Sequence, residues 1–84
     1  MFAIDYQQNW GKFFSKLDKN EQLIIWKKIQ QLKTLKETRH LKYGLPYFVL
    51  DSGQYRICYE QIEKIRRVMF AGNHKQYEKW LKIQ

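Results

Sequence analysis

Over the first seven positions apolar and polar residues alternate, with Phe2, Ile4 and Tyr6 set against Ala3, Asp5 and Gln7. A period of two fits a half-buried strand, predicted over about 2–7. From Trp10 the spacing becomes helical, through Phe13, Phe14 and Leu17, with Asn9 available as a cap. Asp18-Lys19-Asn20-Glu21 then has the capping-box spacing that starts a second helix. In that helix Ile25, Trp26, Ile29 and Leu32 line one face, and Lys27, Lys28, Gln30, Gln31 and Lys33 line the other.

The second half of the chain supplies the surface for this apolar face to cover. Tyr47 to Leu50, a turn at Asp51-Ser52-Gly53, and Gln54 to Glu60 read as a hairpin rich in aromatic and β-branched residues. After a tight connection around Gln61-Ile62, Glu63 to Ala71 reads as a further strand. Gly72-Asn73 ends it before an amphipathic helix over about 74–83 that carries Tyr77, Trp80 and Leu81. Pro46 falls at a strand start, where its missing N–H costs little. The order is β-α-α-β-β-β-α, a single α+β domain over 1–84. Its sheet is expected to be four-stranded and mostly antiparallel, with the two N-terminal helices on one face and a short C-terminal helix.

Composition narrows the class. With 84 residues the chain makes one modest core, near the size where burial only just offsets chain entropy. One cysteine, Cys58, cannot close an internal disulfide, and no run has metal-ligand spacing, so packing must hold the fold and a reducing compartment fits. No apolar run exceeds four residues, far below the roughly 20 of a membrane span. No signal-peptide pattern opens the sequence, and the expected location is cytoplasmic.

The formal charge is +8, and aromatic residues make up 17%, which separates the chain from disordered basic tails. Such an excess on a folding domain favours a polyanion, because neutralising phosphates releases condensed counterions. It also fits an ordinary lysine-rich surface. The excess is uneven: residues 12–45 hold nine bases against three acids, and residues 46–84 hold seven against four.

Alternation along the second hairpin strand sends Tyr55, Ile57 and Tyr59 to the core, and Arg56, Cys58 and Glu60 to the other face, read as open. An arginine there is either a cross-strand ion-pair partner of Glu60 or Asp51, or a planar fork for a phosphate. Cys58 reads as a small strand residue, with nothing to mark a lowered pKa.

Three segments resemble landmarks of the RelE/ParE superfamily of type II toxins: Arg39-His40-Leu41-Lys42-Tyr43-Gly44, Ser52-Gly53-Gln54-Tyr55-Arg56-Ile57-Cys58-Tyr59, and Phe70-Ala71-Gly72-Asn73-His74-Lys75-Gln76-Tyr77. The resemblance covers nearly the whole chain and is nearest to the histidine-using HigB and YafQ-like branches. RelE carries lysines on the strand before the Tyr-Arg strand, whereas Tyr47 to Asp51 holds no base. The resemblance implies a metal-independent endoribonuclease that needs no cofactor and cuts messenger RNA on the ribosome. A cognate antitoxin is the implied protein partner, and no membrane is involved. It assigns phosphate stabilisation to Arg56, acid–base work to His74, base stacking or proton donation to Tyr77, and a complementary acid or base to His40. Arg39, Lys42, Arg66, Arg67 and Lys75 would hold RNA or ribosome phosphates. Two alternatives stay open: a ParE-like toxin that inhibits gyrase without cutting nucleic acid, and an inactive member that serves as a protein-binding module. His74 also reads as a helix-start residue, and Tyr77 with Trp80 and Leu81 as the stripe that docks the last helix.

Overall fold

The computed structural model describes residues 1–36, 38–40 and 46–84. Its elements are β1 (Ala3–Tyr6), α1 (Gly11–Phe14), α2 (Lys19–Gln31), β2 (Arg39–His40), β3 (Phe48–Ser52), β4 (Tyr55–Ile62), β5 (Ile65–Asn73) and α3 (His74–Lys82). The strands form one sheet in the order β1-β5-β4-β3-β2. Its pairings are antiparallel except β1, which runs parallel to β5. The α+β class and the mostly antiparallel sheet agree with expectation, but there are five strands where four were expected. The added one is β2, in which Arg39 and His40 pair with Val49 and Phe48. Two residues are too few for alternation to register in a sequence.

Both hairpin turns sit two residues or so later than their composition suggests. Ser52 pairs with Tyr55, so the β3–β4 turn is Gly53-Gln54, with Gly53 at φ 58° in the region where a side chain is costly. Ile62 pairs with Ile65, so the β4–β5 turn is Glu63-Lys64, with Glu63 at φ 55°. A glutamate in that conformation carries no turn signal, and the expected connection at Gln61-Ile62 is instead strand. Cys58 faces Phe70 while Tyr59 faces Val68, which leaves Met69 as the extra residue of a β-bulge. The bulge lets Met69 and Phe70 both pack on the α3 side.

The helices are closed by identifiable groups. At α2 the Asp18 carboxylate accepts from the Glu21 N–H at 2.8 Å, but the reciprocal half of the box is absent. The Glu21 carboxylate instead accepts from the Tyr55 hydroxyl at 2.9 Å, tying the helix to the sheet. At α3 the box is complete, with Asn73 and Gln76 each accepting from the other's backbone. The segment α1 is a single turn, shorter than expected. Trp10 occupies its cap position, and Asn9 offers only its backbone carbonyl, to Lys12. Gln22 closes the far end by donating to the carbonyls of Phe14 and Leu17.

Two apolar layers cover the sheet. Ile25, Ile29 and Leu32 of α2 pack on Tyr55, Ile57, Tyr59, Val68 and Ala71. On the other side Tyr77 and Trp80 of α3 pack on Val49, Cys58 and Phe70, with Phe13 from α1. The face expected to be open is therefore closed over its middle. Trp26, expected in the buried stripe, is 42% exposed and stacks on Tyr6, beside exposed Leu23 and Ile24. Among the described residues no helix is long and apolar enough to cross a membrane.

One charged side chain joins the layers. Arg66 is fully buried, donating to the carbonyls of Leu32 and Lys36 at 2.9 Å and to the Gln61 side chain at 3.0 Å. Its guanidinium lies 3.7 Å from the centre of the Phe2 ring and 5.1 Å from that of Tyr59. It thus satisfies the carbonyl of Leu32 at the C-cap of α2, where positive charge is favoured, and that of Lys36 in the chain beyond. An Arg66→Lys substitution cannot span three acceptors, and urea denaturation should show a loss of about 3 kcal/mol. An unchanged midpoint would show that the guanidinium does not anchor α2.

Candidate functional site

The sheet face under α3 ends in a charged cluster where β3 and β4 meet the start of α3. Register places Asp51 opposite Arg56, and Arg56 opposite Gly72. The Arg56 guanidinium lies 4.6 Å above the centre of the Tyr77 ring, a cation–π contact that holds the charge at the margin of the second layer. Its Nε is 3.0 Å from an Asp51 oxygen, a charge contact that is not aimed as a hydrogen bond. The same carboxylate accepts from Arg39 at 3.2–3.3 Å. Two guanidiniums from β2 and β4 therefore share one carboxylate from β3, and the three side chains keep between 28% and 45% of their exposure. A net positive, partly hydrated pair of planar forks of this kind suits an oxyanion such as a phosphate. Of the readings left open for Arg56, the ion pair with Asp51 is present. Glu60 instead accepts from Arg67 at 3.0 Å.

The glycine opposite Arg56 matters for this geometry. A Cβ at Gly72 would collide with the Gln76 amide oxygen, and would stand 2.9 Å from the tip of Phe70. Gln76 caps α3 and also donates to the Phe13 carbonyl at 3.0 Å, so it has little freedom to yield. Gly72 and Gln76 thus hold Tyr77 at the distance that receives Arg56.

The remaining candidates are dispersed. Tyr77 is buried, packed against Phe70 and Trp80, and burial pushes its hydroxyl pKa up while the neighbouring Arg56 pulls the other way. It is a protonated donor at neutral pH. His74 is the first residue of α3 and exposed; its N–H donates to the Gln54 carbonyl, and it borders a shallow hollow with Gln54, Asn73 and Lys75. His40 pairs with Phe48 and meets that ring edge-on at 4.9 Å, and Phe48 packs in the α2 layer. His40 is thus on the opposite face of the sheet from Arg56, so the structure does not bring the two together.

The expected phosphate ligands also divide. Arg66 is excluded from that role, because it is fully buried and its donors are taken. Arg67 is partly exposed but donates to both Asp5 and Glu60, and its bond to Asp5 holds that carboxyl below its ordinary value. Lys75 is exposed beside His74, and Lys42 lies outside the described residues. Gln76 was not anticipated as part of the site, and Asp51 only as an ion-pair partner of Arg56, not as the carboxylate that joins it to Arg39. Asp51 was within reach of the hairpin register, but a turn placed at Asp51 itself removes it from the ladder.

No family model and no curated protein matches this sequence. Solved structures do match. The isolated RelE toxin of E. coli superposes with a TM-score of 0.66 over 100% of both chains at 17% identity. The fold is RelE-like. A chain of the RelB–RelE antitoxin–toxin complex from Methanococcus jannaschii gives the same TM-score at 13% identity, over 90% of this chain and 96% of that one. At these identities the likeness concerns architecture and does not reach the HigB and YafQ-like branches.

Two measurements check this geometry. Cys58 is fully buried, and burial pushes its thiol up to about 12. At pH 8 it should resist a thiol reagent in the native chain and react at once in denaturant; prompt native labelling would show that the second layer is not closed. Gly72→Ala should cost about 2 kcal/mol in thermal or urea unfolding through the clash with Gln76, and unchanged stability would show that α3 can shift freely.

Proposed function

We propose that the chain is the toxin of a type II toxin–antitoxin pair, and that it cleaves messenger RNA on the ribosome. The observation that carries this reading is the Arg56 guanidinium held on Tyr77 and joined to Arg39 through Asp51, in a fold similar to RelE. In this reading the RNA 2′-oxygen attacks the adjacent phosphorus and the 5′-oxygen leaves. Arg56, with Arg39 beside it, stabilises the charge that builds on the non-bridging oxygens. His74, two residues beyond the partner of Arg56 in the ladder, takes the proton of the attacking 2′-hydroxyl, and the protonated Tyr77 hydroxyl gives its proton to the departing 5′-oxygen. Lys75 binds a neighbouring phosphate. The ribosome supplies the in-line placement of substrate that so small a surface cannot. The M. jannaschii structure contains an antitoxin, and a cognate antitoxin is proposed as the partner of this chain.

A second reading has an observation in its favour. His40 and Arg56 occupy opposite faces, so two histidines do not converge on one phosphate, as a purely binding role would allow. That reading covers a gyrase-directed toxin and an inactive protein-binding module.

Induction in cells followed by primer extension separates the two. Wild type should arrest growth and leave messenger RNA with new 5′ ends inside codons. Arg56→Ala should lower cleavage about 100-fold, the usual scale for removing one preorganised charge donor. His74→Ala should lower it by about 100-fold or more. Intact messenger RNA with a DNA-damage response would support the gyrase reading. An Arg56→Ala chain that is folded and as toxic as wild type would refute the site.

A further inference from the structure

On the α2 side of the sheet, at the end away from Arg56, three lysines from two separate segments converge on one concavity. Lys33 and Lys36 come from the chain just after α2, and Lys64 from the β4–β5 turn. With Phe2 and Thr34 they line a hollow of about 480 Å³. Their backbones are pinned: the Phe2 N–H donates to the Lys33 carbonyl at 2.8 Å, and the Ala3 N–H to the Lys64 carbonyl at 2.8 Å. The Lys64 ammonium stands 5.9 Å from the centre of the Phe2 ring. Beneath the ring lies the buried Arg66 guanidinium, whose hydrogen-bond partners are two carbonyls and an amide, all neutral. Its positive charge is therefore not cancelled by the groups that bind it, and it adds to the field of the lysines through a poorly screening interior. None of the three lysines forms an ion pair among the described residues. The nearest carboxylate in sequence to Lys64, that of Glu63, is exposed on the same turn and does not line the hollow.

The hollow continues. Lys36 also borders a second concavity with Thr38, Phe48, Tyr59, Gln61 and Arg66, which reaches the ring that His40 contacts. The lysines and the half-buried rings of Phe2 and Phe48 border the two hollows, with Tyr59 and Arg66 as a buried floor, and cations beside aromatic rings are the combination by which proteins track a single strand.

We propose that Lys33, Lys36 and Lys64 form a second nucleic-acid site, which binds the phosphodiester backbone of a single-stranded segment. It lies on the opposite face from Arg56 and holds a strand whether or not that strand is cut. It also gives two of the nine bases of residues 12–45, Lys33 and Lys36, a specific location.

The test uses the full chain and a 12-nucleotide 2′-O-methyl oligouridylate, which cannot be cleaved, with binding measured by anisotropy at several salt concentrations. Replacing Lys33, Lys36 and Lys64 together by Ala should weaken binding at least tenfold. It should also reduce the slope of log K against log salt by about 2, the release expected for three contacts to a single strand. The triple Lys→Arg chain should restore both. A charge-matched control, with Lys12, Lys16 and Lys79 changed to Ala, should keep most of the affinity. Equal losses in the two triple-Ala chains would overturn the site, since net charge alone would then explain the binding. So would an undiminished affinity in the first. The two readings fail separately, because primer extension with Arg56→Ala reports on cleavage and anisotropy with the lysine variants reports on this site.

Discussion

The burial of β4 on both faces constrains the rest of the molecule. Tyr55, Ile57 and Tyr59 project into the α2 layer while Cys58 projects under α3, and β3 and β5 take up the ladder on either side. Each large side chain buried in this way contributes about 2 kcal/mol, so a chain of 84 residues cannot leave either layer out. Arg56 sits within this doubly covered strand and cannot place its charge in the interior. It leaves at the margin, where the face of Tyr77 and the carboxylate of Asp51 receive it. The candidate site is thus a consequence of the core, located where the second layer ends.

The same constraint sorts the cations. Arg66 faces the α2 layer and is used to close a helix end; Arg67 faces the other way and is held by Asp5 and Glu60. Arg56 and Arg39 share a single carboxylate and remain partly hydrated. Neighbouring arginines on one strand therefore have different tasks, decided by which face each occupies. The lysines are less constrained. Three of them nevertheless converge, because Phe2 is hydrogen-bonded to Lys33 in the chain that leaves α2 and the next residue, Ala3, to Lys64 in the β4–β5 turn.

Much of this was legible in the sequence where a period was long enough to read. The alternation of β4 gave its core set and placed Arg56 opposite to it, the Asp18 cap started α2 as expected, and α3 began at His74 as expected, with Asn73 as a cap that had been read only as the strand's end. The misses have local causes. A two-residue edge strand has no period, and Glu63 at φ 55° looks nothing like a turn residue. Arg66 and Arg67 are adjacent and chemically identical, and only register distinguishes a buried anchor from a surface ion pair. His40 follows Arg39 directly, so alternation sends the two to opposite faces as soon as β2 is recognised as a strand.

In the proposed function Arg56, supported by Tyr77, meets a phosphate. The most direct test of this contact is a structure of the chain on a ribosome whose messenger RNA carries 2′-O-methyl groups in the A site, so that the substrate stays intact. An Arg56 guanidinium nitrogen should lie about 3 Å from an oxygen of the phosphate that would be cut, with the Tyr77 ring still beneath it. A complex in which the messenger RNA approaches another surface while Arg56 stays bound to Asp51 would contradict the proposal.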